Sequence, residues 1–196
     1  MRLKFALLFV GLAALPGLFA APPDASPDDP ACTAEDRRFI QRANEVAADA
    51  LKSGNAPFGA VLVADGKIVA EYGNQVRALH DPTQHAELGL IAKFARELDR
   101  EVLKKSTLYA STEPCTMCSG AIINAGIPTV VYGVTEAKFL TYFPGPPAEH
   151  PLTAREIMTR TASPVAVRGP LLEKEGLVLH DAYWPAEIKS WSAKGK

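Results

Sequence analysis

His85 and Glu87, followed further along by Cys115 and Cys118, are the residues of this 196-residue chain whose types and spacing can do chemistry. An imidazole and two thiolates are donors that suit zinc. Three such ligands leave a tetrahedral ion one open position, the arrangement of a catalytic site rather than of a structural site closed by a fourth protein ligand. The open position would hold water, whose pKa zinc lowers toward neutrality. Glu87 stands two residues from His85, so its carboxylate can face that water without binding the metal and can take its proton. A Cys-x-x-Cys on its own also suits thiol redox chemistry or half of a structural site, so a zinc-binding or thiol-redox module is the non-enzyme alternative.

These residues need elements to hold them. Thr33-Ala34-Glu35-Asp36 reads as a helix start with Thr33 as N-cap, and Phe39, Ile40, Ala43, Val46, Ala47 and Ala50 continue at helical spacing toward Ser53-Gly54. Phe58 to Ala64 and Lys67 to Tyr72 are β-rich runs around Asp65-Gly66, a hairpin signal. Gly73 to Pro82 reads as a loop. Thr83 to Leu98 has helical character, which places His85 and Glu87 in its first turn. Thr107 to Ser111 reads as a strand, Cys115 to Ala125 as a helix and Pro128 to Gly133 as a strand. Both metal-binding segments therefore fall at helix N-termini, whose partial positive potential favours thiolates. Alternating helices and strands after a hairpin predict a layered α/β sheet. Beyond it, 141–151 should be irregular, Thr153 to Thr161 helical, Pro164 to Arg168 a short strand and Leu171 to Trp191 an interrupted helix.

Arg2 and Lys4 precede an apolar run from Phe5 to Leu15 and small residues at Ala20-Ala21, the pattern of a secretory signal peptide. The expected organisation is a leader over 1–20, a linker over 21–32 and a single domain over 33–196, with 141–196 as a lid or dimer element. Cleavage would leave no membrane anchor and a periplasmic or secreted product. It would also remove two of the 21 Lys and Arg residues against 22 Asp and Glu, so the mature chain is mildly acidic. Phosphate-dominated binding wants a basic patch, which favours a small neutral substrate over a nucleic acid. Three cysteines make no disulfide framework, and in an oxidising compartment zinc would protect Cys115 and Cys118 from pairing.

Three stretches carry a resemblance. Asn55-Ala56-Pro57-Phe58-Gly59-Ala60-Val61, Asp81-Pro82-Thr83-Gln84-His85-Ala86-Glu87 and Glu113-Pro114-Cys115-Thr116-Met117-Cys118-Ser119-Gly120-Ala121-Ile122 resemble the cytidine deaminase superfamily. The likeness runs from about Asn55 to Lys138 and includes the H-x-E and P-C-x-x-C signature of zinc deaminases. It is nearest to bacterial guanine deaminases and tRNA adenosine deaminases and shares features with fungal cytosine deaminases. It implies a three-layer α/β/α sandwich around a central mixed sheet, zinc on His85, Cys115 and Cys118, and Glu87 as the proton shuttle. It also implies base contacts from Asn74 and the Ala86 backbone N–H, a homodimer, and hydrolytic deamination of a free nucleobase or nucleoside. Guanine is the leading substrate, with cytosine or tRNA adenosine as alternatives. Phe58 is a candidate pocket wall, His80 a candidate contact on the entering loop, and Phe139, Tyr142 and Phe143 form an aromatic group where relatives place a covering segment. His180 receives no role.

Overall fold

A computed structural model of the chain describes residues 28–143 and 152–194. The expected leader and residues 21–27 of the expected linker lie outside the described residues, as do 144–151. Asp28 and Asp29 are already docked: their carboxylates accept hydrogen bonds from the backbone N–H groups of Leu172 and Gly169, each at 2.9 Å.

The order of elements is α1 (Ala34–Lys52), β1 (Gly59–Ala64), β2 (Lys67–Gly73), α2 (Val76–Leu79), α3 (Ala86–Phe94), α4 (Arg100–Leu103), β3 (Thr107–Thr112), α5 (Thr116–Ala125), β4 (Thr129–Val134), α6 (Glu136–Leu140), α7 (Ala154–Thr159), β5 (Ala166–Arg168) and α8 (Glu173–Lys194). The strands form one sheet in the order β2-β1-β3-β4-β5. The hairpin and the β1–β3 pairing are antiparallel, whereas β3–β4 and β4–β5 are parallel, so the sheet is mixed.

Each face of the sheet buries a different helical layer. Leu62, Leu108 and Val130 pack in one core with Leu90 of α3, Ile122 of α5 and Met158 of α7. Val61, Val63, Tyr109 and Val131, the alternate positions, pack in a second core with Phe39, Ile40 and Ala43 of α1. That alternation is the period-two signature of strands buried on both faces. The α1 start carries the expected cap: Thr33 Oγ1 accepts from the Asp36 N–H, and the Asp36 carboxylate accepts from the Thr33 N–H. Such a capping box is worth about 1 kcal/mol.

Two glycines mark where helices press on the sheet. A Cβ on Gly59 would lie 2.3 Å from the Ala43 carbonyl oxygen, so β1 touches the α1 backbone. A Cβ on Gly176 would lie 2.5 Å from Val134 Cγ2. Gly176 costs roughly 1 kcal/mol of helix propensity, yet it lets α8 rest directly on β4, and the helix runs on through it. Elsewhere the elements depart from the sequence pattern. The helix expected from Thr83 starts at Ala86, because Asp81 accepts hydrogen bonds from the Thr83 N–H and hydroxyl and from Gln84 Nε2, closing a turn instead. The loop expected over Gly73 to Pro82 contains the short helix α2.

Candidate active site

His85 and Cys115 are the N-cap residues of α3 and α5. Extended backbone at each cap turns its side chain toward the same point, beyond the C-terminal end of β3. His85 Nδ1 lies 3.6 Å from Cys115 Sγ and 3.7 Å from Cys118 Sγ. All three ligand atoms lie within 4.8 Å of one another. A tetrahedral zinc with Zn–S of about 2.3 Å and Zn–N of about 2.0–2.1 Å needs about 3.6 Å between nitrogen and sulfur, so the donor set fits that ion. The helix starts also support the sulfurs. The Leu88 N–H donates to Cys118 Sγ and the Cys118 N–H to Cys115 Sγ, using groups that no helical carbonyl can reach. A hydrogen bond from Cys118, joined by one from His85, holds the Cys115 thiol down at about 4, so a thiolate is present for a metal.

Glu87 is in the first turn of α3 and is buried. Desolvation pushes its carboxyl up to about 7, where a carboxyl can both take and give a proton near neutral pH. His85, Glu87 and Cys115 line a pocket of about 230 Å³. Asn74 lines it too. Its side-chain oxygen accepts from the Val76 N–H at 3.2 Å, which leaves the amide NH₂ available as a donor. Phe58 is part of the wall. Ala86 is fully buried between the metal ligand and Glu87, where its backbone N–H is one of the free donors of the helix start. His80 stands apart. It is exposed, with positive φ at the end of α2, and does not line the pocket.

Five residues with no role assigned from the sequence also belong to this site. Glu113 is buried and accepts hydrogen bonds from the Glu136 and Ala154 N–H groups, so it anchors the starts of α6 and α7 beside the cysteines. Glu136, directly after β4, lines the pocket, and burial raises its carboxyl to about 7. Thr112 and Trp184 line the pocket as well. His180 lies behind them, buried against the rings of Phe58 and Phe139 at 5.3 and 5.6 Å. Only the position of Glu136 and Thr112 at the C-terminal ends of parallel strands, where α/β sheets bind ligands, could have marked them in advance.

The C-terminal helix packs back over its own chain's site. Trp184 of α8 meets Phe58, Phe139 and Phe143 with ring centroids 6.1, 5.5 and 5.1 Å away. Tyr142 donates to Asp181, and Glu187 receives both the Arg77 guanidinium and the Trp191 indole N–H, so α8 is fastened to both sides of the pocket mouth.

The known proteins that this chain resembles carry the same chemistry. The cytidine and deoxycytidylate deaminase zinc-binding region matches residues 33–134. A probable cytosine deaminase of Schizosaccharomyces pombe is 35% identical over 156 residues, covering 76% of this chain and 93% of that protein. The guanine deaminase of Bacillus subtilis is 44% identical over 95 residues, covering 48% of this chain and 61% of that one. A solved structure of a tRNA:A34 deaminase superposes with a TM-score of 0.60 at 33% identity, covering 72% of this chain and 98% of that one. The match extends from α1 through β4 and takes in every metal donor, which makes the chain a zinc-dependent deaminase of the cytidine and deoxycytidylate deaminase family.

Proposed function

We propose that the protein releases ammonia from a free aminated heterocycle of nucleobase size, with guanine as the first candidate. The observation that carries this reading is the pocket itself: about 230 Å³, with His85, Cys115 and Glu87 on its floor, the third donor Cys118 buried beside them, and aromatic rings over it. Its volume suits a single base. The Asn74 amide offers a hydrogen-bond donor and Glu136 a carboxylate. Guanine answers both with a carbonyl oxygen and a ring N–H, and the mildly acidic mature chain favours such a neutral substrate over a polynucleotide.

A bound zinc ion supplies a Lewis acid that makes water a nucleophile near neutral pH. The chain's own residues do the rest. Asn74 and the aromatic walls hold the ring over the floor. Glu87 accepts a proton from the attacking water and passes it to a ring nitrogen, which makes the amino-bearing carbon a better electrophile. A C–O bond forms, Glu87 takes the remaining proton of the new hydroxyl and delivers it to the amine, and the C–N bond breaks as the C=O forms, releasing ammonia. Guanine would become xanthine.

Cytosine is the second reading, favoured by the fungal relative whose match spans nearly its whole length. The test is an ammonia-release screen of the zinc-loaded protein over guanine, cytosine, adenine and their nucleosides. Turnover of a free base supports the proposal; turnover confined to adenosine in a tRNA anticodon stem-loop, assayed alongside them, overturns it. Export after cleavage near Ala20 and assembly as a homodimer belong to the same proposal, supported by the leader-like residues and by the family resemblance. Mass spectrometry of the mature N-terminus and light scattering test them.

A further inference from the structure

His180 and Thr112 lie outside the metal motif, and their hydrogen bonds have a forced direction. The Trp184 indole N–H donates to His180 Nδ1 at 2.9 Å. An indole can only donate, so Nδ1 must be unprotonated. A neutral imidazole with a bare Nδ1 carries its proton on Nε2, and Nε2 faces Thr112 Oγ1 at 2.9 Å. The Thr112 hydroxyl therefore accepts from His180. Its own proton goes to no group among the described residues, and Thr112 is buried and lines the pocket. Burial keeps His180 neutral, with its pKa lowered to about 4, and the Phe58 and Phe139 rings hold it in place.

We infer that Trp184, His180 and Thr112 form a one-way hydrogen-bond relay that makes Thr112 a dedicated donor to the substrate, selecting aminated heterocycles with a carbonyl oxygen on that edge. The inference rests on the small-base reading of the pocket and sharpens it. Thr112 is the specificity-determining contact and His180 a positioning residue that acts through it. With the Asn74 amide, the pocket then presents two donors, and the Glu136 carboxyl, which lines the same pocket, accepts in its ionised form. A base with two acceptors and one ring N–H matches that set. A site built to give a hydrogen bond discriminates strongly against an analogue lacking the acceptor, because its buried donor is then left unpaired.

Two measurements test the relay. In the zinc-loaded full chain labelled with ¹⁵N-histidine, the His180 resonances should report the Nε2–H tautomer at neutral pH, and Trp184→Phe should release the ring into a mixture of tautomers. An Nδ1–H tautomer in the native protein overturns the inference, whatever base is turned over, so its failure is distinct from failure of the proposed substrate class. The second measurement compares guanine with 2-aminopurine, and cytosine with 4-aminopyrimidine; each analogue lacks the carbonyl oxygen and, with it, one ring N–H, whose loss weighs equally on the native protein and on a Thr112 variant. Thr112→Val should reduce discrimination within the productive pair by about tenfold, through KM rather than kcat, because a contact made equally in ground and transition states is lost. Thr112→Ser should restore it. Unchanged discrimination in Thr112→Val, or an equal loss in Thr112→Ser, overturns the assignment.

Discussion

The floor and the roof of the pocket are built by different physics. On the floor, His85, Glu87, Cys115 and Cys118 occupy the first turns of two helices, and each is placed by residues within a few positions of it. Two caps and their backbone N–H groups aim one nitrogen and two sulfurs at a common point once α3 and α5 pack side by side through Leu90 and Ile122. The roof gathers Phe58 from before β1, Phe139 from α6 and Trp184 from α8, residues far apart in the chain that meet only through packing. The floor thus depends on two helix starts, whereas the roof depends on where three distant segments pack.

Breaking the floor should be catastrophic and leave the fold standing. Cys118→Ser should lose stoichiometric zinc, measured by metal analysis, and ammonia release should fall to background, because a hydroxyl is a poor replacement for a thiolate on that ion. Chelation of the native protein should do the same, and readdition of zinc should restore turnover. Glu87→Gln is next. We expect zinc retained and kcat reduced by about 10²–10⁴-fold, the usual worth of a positioned acid–base group; near-native kcat would remove Glu87 from the mechanism.

The roof should respond in stability and in KM. His180 is neutral in the folded protein with a pKa of about 4, below its ordinary 6.5. The unfolded chain thus binds a proton that the folded chain refuses between those values. Stability is lost as pH falls through that window, by roughly 3 kcal/mol at its lower end. Denaturant unfolding at pH 7 and pH 4 should show this slope in the native protein and a shallower one in His180→Gln; equal slopes would mean that burial does not hold the imidazole neutral. The smallest effect is expected from Phe139→Ala, which opens one side of the roof. KM should rise about tenfold with kcat and zinc content little changed, and a loss confined to kcat would place this ring in the chemistry instead of in binding.

The legibility of the molecule follows the same division. The α1 cap at Thr33, the Asp65-Gly66 hairpin and the two cysteines at a helix start were readable because each depends on neighbours in sequence. The start of α3 was misplaced by three residues because Asp81 satisfies its neighbours' donors in a turn, a local competition that apolar periodicity does not register. His180 had no legible role, since nothing near it in the chain announces that Thr112 lies at its ring nitrogen.

The sequence by itself determined the reaction: three soft donors, a proton-carrying carboxylate and the helix starts that aim them are set by short-range geometry. Tertiary structure decided how the pocket is closed. It laid α8 across its own chain's site, brought Glu136 at the start of α6 to the pocket wall, and oriented the chain of hydrogen bonds from Trp184 to Thr112. Those outcomes depend on which faces of distant elements exclude water together, and that is settled only when the sheet and both helical layers pack.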